Sequence, residues 1–145
     1  MSKITKSEIF EIVADALPVA AAMGLEIASL KAGSARVRMP YKPEFVRPGG
    51  TISGPTMMAL ADFTIYVVVM SQIGRVELAV TTNLNINFLR KPAPKDLIAE
   101  GRTLKLGKRL AVMEVTIFSK GEKDPVAHVT GTYSIPPGNQ RVLER

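Results

Sequence analysis

The chain has 145 residues, 46% hydrophobic and 22% charged, which suits one domain with its own core. It has no cysteine, which excludes disulfides, thiolate metal sites and a cysteine nucleophile; a single histidine, His128, argues against a histidine-built metal cluster. A net charge of +6 favours an anionic ligand or partner, but aromatics are only 6% and no Lys/Arg run exceeds two, so a base-stacking nucleic-acid surface is not expected.

In chain order, TKSEIFEIVADALPVAAAMG places Ile9, Ile12, Val13 and Ala16 at helical spacing, with Ser7 as the expected cap. Pro18 interrupts this helix and Gly24 ends the segment. Glu8, Glu11 and Asp15 break the apolar run a secretory signal needs. No other stretch predicts a membrane span, because Met57 to Met70 is short and carries Asp62, so a cytoplasmic protein with no membrane partner is expected. LEIASL and ARVRMPY flank KAGS and read as a hairpin, and PEFVRPGGTISG reads as a loop.

PTMMALADFTIYVVVMSQIG carries Pro55 where a helix starts and Gly74 where it stops. Val67, Val68 and Val69 are β-branched and favour a strand locally, but length and flanking punctuation decide for helix. With few polar residues, this helix should be buried nearly all round. Asp62 stands inside it, with Met58, Ala59, Ile65 and Tyr66 one turn away. An unpaired buried carboxylate is costly, so Asp62 must line a cleft or have partners.

ELAVTTNLNINFLR alternates, with Val80, Thr82, Leu84, Ile86 and Phe88 on one parity and Thr81, Asn83, Asn85 and Asn87 on the other. DLIAEGRTLKLG, RLAVMEVTIFSKG and PVAHVTGTYSI follow, joined by tight turns, and predict an antiparallel meander. Residues 136–145, PPGNQRVLER, read as a polar tail. The economical solution is a single α+β domain over residues 1–145, a curved antiparallel sheet wrapped around one long central helix. Sheet edges and an all-apolar helix suggest pairing with a second copy.

RPGGTISGPTMMALAD, TTNLNINFLRKPAP, LKLGKRLAVMEVTIF and VAHVTGTYSI together resemble the hotdog-fold acyl-CoA thioesterases of the PaaI-like group, over roughly residues 15–135. The resemblance implies a hotdog fold, hydrolysis of an acyl- or aryl-acyl-CoA, no cofactor beyond the CoA of the substrate, and a homodimer or a dimer of dimers. It places Asp62 on the family's acid position, as general base or as nucleophile. Ser53, Gly54 and Pro55 fall where His-Gly-Gly is usual, Gly50 on an earlier glycine, and Arg47 on the usual asparagine. Gly54 would polarise the thioester carbonyl through its N–H, or simply serve the loop-to-helix turn. Pro55 offers no second N–H, and Ser53 is expected to cap the helix or contact substrate. Arg47 is open between pairing with Asp62, binding phosphate and lying exposed.

Thr81 or Thr82 would aim a hydroxyl near the acid, only one of them if the strand is regular, with register favouring Thr81. Arg90, Lys91, Lys95, Lys108 and Arg109 are candidates for the CoA phosphates. His128 reads as structural. Met57, Met58 and Met70 read as core rather than pocket. The rival reading is a non-catalytic acyl-CoA or apolar-ligand binding protein of the same fold.

Overall fold

The computed structural model describes residues 1–143. Two short helices open the chain, α1 (Lys6–Ala16) and α2 (Pro18–Met23). The cap of α1 is Thr5 rather than Ser7. Thr5 Oγ1 accepts the Glu8 N–H and Glu8 Oε1 accepts the Thr5 N–H, each at 3.1 Å. That reciprocal box satisfies two orphan donors, where a serine two residues on satisfies neither. Pro18 occupies the first turn of α2 and turns the chain sharply after α1.

The expected hairpin forms from β1 (Glu26–Lys31) and β2 (Ser34–Met39). The segment expected as a plain loop is more ordered. It holds a 3₁₀ turn, Pro43–Phe45, and a two-residue ribbon of β3 (Val46–Arg47) against β4 (Thr51–Ile52). The central helix α3 is Gly54–Ile73. Four strands follow: β5 (Val80–Phe88), β6 (Leu97–Leu106), β7 (Leu110–Ser119) and β8 (Ala127–Ser134).

Six strands make one antiparallel sheet in the order β1-β2-β6-β7-β8-β5, which leaves β1 and β5 at its edges. Helix α3 packs across one face of it. Alternate residues of β7 and β8, among them Met113, Val115, Ile117 and Val129, are buried. Gly131 lets helix and sheet approach. A Cβ there would lie 2.5 Å from Ile65 Cδ1. By length and composition α3 is apolar enough to cross a membrane, yet 67% of its most apolar window is buried inside this fold. It is the core helix.

The regular alternation expected of β5 does not hold. Thr81 pairs with Tyr133 and Asn83 pairs with Thr132, so Thr82 is an extra residue in a bulge. The bulge shifts parity midway: Thr81 reaches the helix, and beyond it Leu84 and Ile86 pack on the core. Residues expected as a tail turn back onto the fold. Gly138–Gln140 forms a 3₁₀ turn, and the Arg141 carbonyl accepts the Leu78 N–H at 3.0 Å. Residues 144–145 of that stretch lie outside the described residues.

Candidate active site

Ala59, Asp62, Phe63 and Tyr66 recur at helical spacing and form one face of α3. That face lines a cavity of about 450 Å³. Its other walls are the α1–α2 corner at Leu17, Pro18 and Val19, the start of β5, and Tyr133 of β8. The lining is mostly apolar, as suits a compact organic group. Glu77 also borders it, its side chain buried and ion-paired to Arg75 Nε at 2.6 Å.

Asp62 is half-buried and has both a cleft and partners. Thr81 Oγ1 donates to Asp62 Oδ1 at 2.6 Å. Tyr133 Oη lies 2.8 Å from the same oxygen and 3.0 Å from the Asp62 carbonyl oxygen. Among the described residues no hydrogen bond reaches Oδ2. The bulge decides between the two threonines: the Thr82 hydroxyl donates to the Thr132 carbonyl at 3.1 Å and is spent on the sheet.

Tyr133 is the site residue that sequence reasoning missed. Its parity with Val129 on the last strand marks it as inward-facing, but that β8 lies beside β5, opposite Thr81, is a matter of topology. Burial, and next the charge of Asp62, push the Tyr133 phenol far above its ordinary range. Tyr66, whose ring centroid is 6.2 Å from that of Tyr133, is pushed up to about 12, first by burial and then by Glu77. Both stay protonated near neutral pH. Tyr133 is therefore a donor to Asp62, not a base.

The start of α3 is a second locus. Ser53 caps it, its Oγ accepting the Thr56 N–H at 3.3 Å, so its hydroxyl is engaged by the helix. Gly54 is the first helical residue, and Pro55 follows with no N–H to give. The Phe88 ring lies over Gly54; a Cβ there would come 3.1 Å from Phe88 Cζ. Gly50 sits in the turn of the β3–β4 ribbon with φ +79, and its N–H bonds the Arg47 carbonyl. Arg47 is exposed, and among the described residues its side chain makes no ion pair, so the contacts of Asp62 are hydroxyls rather than a guanidinium.

The candidate phosphate-binding cations do not form one cluster within a protomer. Arg90 and Lys91 follow the Phe88 end of β5, with Arg90 Nε donating to the Pro125 carbonyl at 2.9 Å. Lys108 and Arg109 sit beside Leu110, which pairs with Ser134, as does Val80 at the other end of β5. Eight residue steps separate those ends, about 26 Å. Lys95 is ion-paired with Glu122 at 3.4 Å. His128 faces away from the helix, 3.3 Å from Glu114. Met57 and Met70 are buried and Met58 is partly exposed; none of the three lines the cavity. Among the described residues no group of three or more His, Cys, Asp or Glu is placed to hold a metal ion.

Residues 49–126 match the family model described as thioesterase superfamily. The chain belongs to the thioesterase superfamily. Its six-stranded sheet around one long helix is the hotdog fold, of the PaaI-like kind. A protein of Silicibacter sp. TM1040, described as a candidate thioesterase, is 41% identical, with a TM-score of 0.85 over 94% of this chain and 95% of that one. A single-residue mutant of the phenylacetic acid degradation protein PaaI from Thermus thermophilus is 27% identical, with a TM-score of 0.72 over 82% of this chain and 99% of that one. A candidate esterase of Saccharolobus solfataricus is 31% identical over 93 residues, 64% of this chain and 66% of the other. Thioester hydrolysis is the general class of chemistry that this membership carries.

Proposed function

We propose that the protein hydrolyses an acyl- or aryl-acyl-CoA thioester to the free acid and CoA in the cytoplasm, as a homodimer or a dimer of such dimers. The observation that carries the reading is Asp62: one carboxylate oxygen is held by two hydroxyls, and the other has no hydrogen-bond partner among the described residues and stands beside an apolar cavity. A cavity of about 450 Å³ accommodates a compact acyl or aryl group. Asp62 Oδ2 either takes a proton from a water that adds to the carbonyl carbon, or adds to that carbon itself. The carbonyl oxygen gains negative charge, and the Gly54 N–H at the start of α3 is suited to stabilise it. The C–S bond then breaks, and the CoA thiolate leaves and takes up a proton; where Asp62 has itself added, a water then cleaves the mixed anhydride so formed, which gives the free acid and restores the carboxylate.

Gly54 and Asp62 of one protomer do not meet on one thioester. Eight residue steps of helix separate them, about 12 Å of rise. Strand β5 supplies the remedy. Its Phe88 end touches Gly54 and its Thr81 end touches Asp62. As an edge strand it leaves backbone groups unpaired. Antiparallel pairing of β5 with its own copy brings the Gly54 end of one protomer to the Asp62 end of the other. Two sites related by a twofold axis result. The same pairing sets Arg90 and Lys91 of one protomer near Lys108 and Arg109 of its partner, a cationic rim for the CoA phosphates. Phe88 and Leu89, about half exposed in the single protomer, and Met58 become the apolar part of that seam.

The test is thiol release across a panel of acyl- and aryl-acyl-CoAs, run on wild type and Asp62→Asn. Wild-type turnover and a loss of at least about 100-fold in the variant are expected. Undiminished turnover in Asp62→Asn refutes the role of the acid. Ser53, engaged in capping where the resemblance puts a histidine, favours the rival reading of binding without turnover. Calorimetric binding with no thiol release from any ester of the panel is the result that selects it.

A further inference from the structure

We propose that Tyr133 is a positioning residue for the reaction: with Thr81 it fixes Asp62 through Oδ1 and thereby turns Oδ2 toward the cavity. The inference rests on the reading of Asp62 as the reacting acid. Tyr133 lies outside residues 49–126, the part that the family match covers.

The geometry carries it. Thr81 and Tyr133 are direct cross-strand partners on β5 and β8. Such a pair projects side chains from adjacent points of the sheet, and here both hydroxyls converge on a single oxygen of the helix. Thr81 alone would hold Asp62 by one bond on an exposed strand. Tyr133 is 4% exposed and adds a rigid anchor. Its ring leans on Tyr66, itself fastened by donating to the Glu77 carbonyl at 3.0 Å. The phenol also lies 3.0 Å from the backbone carbonyl of Asp62, so it ties the side chain to the helix turn that bears it. A carboxylate gripped at one oxygen and one backbone atom has little torsional freedom, and a base or nucleophile needs that restriction to meet the carbonyl in line. Because burial raises the phenol far above its ordinary range, it stays protonated and a donor near neutral pH.

Tyr133→Phe removes one hydroxyl and keeps the ring. Thr81 still donates to Oδ1, so no buried group is orphaned and the variant folds. We expect kcat to fall about 10-fold to about 100-fold, the range for a hydrogen bond to a charged group, with KM within about twofold. A residue that only packs would leave kcat unchanged in a folded variant. Thr81→Ala, which removes the other hydroxyl from Oδ1, should lower kcat to a similar degree, and unchanged kcat in that variant overturns the proposal if Tyr133→Phe does not fold. A crystal structure of Tyr133→Phe should show the Asp62 carboxylate in more than one rotamer. Wild-type kcat in a folded Tyr133→Phe overturns the positioning role and leaves the function standing. Failure of the wild type to release thiol from any ester overturns the function, and the inference with it.

Discussion

A site shared between two protomers, as proposed, makes a demand that a single-protomer site does not. Gly54 and Asp62 sit at the ends of eight helical steps, about 12 Å apart along the axis, whereas an oxyanion donor and a base must each come within about 3 Å of one thioester group. The perturbation is a pair of variants. Asp62→Asn removes the acid, and Gly54→Pro removes the N–H while keeping a residue suited to the first helical position. Ser53, with φ −69 and ψ 151, already has the extended conformation that precedes a proline. Gly54→Ala, which keeps the N–H, controls for the added Cβ against Phe88. Each variant alone should lose at least about 100-fold in kcat. The two are then unfolded, mixed in equal amounts and refolded together. Half of the dimers formed at random are mixed, and each mixed dimer has one site with both an intact Gly54 and an intact Asp62. Thiol release should return to about a quarter of the wild-type rate, well above either parent. A mixture no more active than the parents, with mixed dimers confirmed by native mass spectrometry, refutes the shared site.

Phe88→Asp places a charge on the apolar end of β5; the protein should elute as a monomer with unchanged helical content and little thiol release. Gly131→Ala puts a methyl 2.5 Å from Ile65 Cδ1 in a sealed core and should cost on the order of 1–3 kcal/mol in urea unfolding. Ile65→Val deletes that δ-carbon, so the double variant should lose less than the sum of the two changes. Tyr66 at about 12 and Tyr133 above it have folded values raised over the unfolded value near 10. Their stabilising contribution is whole below about pH 10 and is lost as pH rises through the folded values. Denaturant midpoints should therefore fall above about pH 10, and less steeply in Tyr133→Phe.

The long helix, the hairpin and the meander were legible because each rests on local periodicity bounded by glycine and proline. Asp62 was legible for the same reason: a carboxylate in a run with no polar face has to be explained by a cleft. Ser53 and Gly54 could be placed at the helix start because cap chemistry is local. Thr5 displaced Ser7 as the first cap, since a reciprocal box outweighs a lone hydroxyl. What the chain order withheld was everything that depends on neighbours across the sheet. The bulge at Thr82 sends one threonine to the acid and the other to Thr132, and alternation along the strand carries no sign of an inserted residue. Tyr133 meets Asp62 across 71 positions of sequence only because the last strand docks beside β5. The α1–α2 corner, outside the stretch that carries the motif, became a wall of the cavity by folding back over the helix. Periodicity reports which face a residue takes on its own element. Which element lies opposite is set by long-range packing, and there the partners of a carboxylate are chosen.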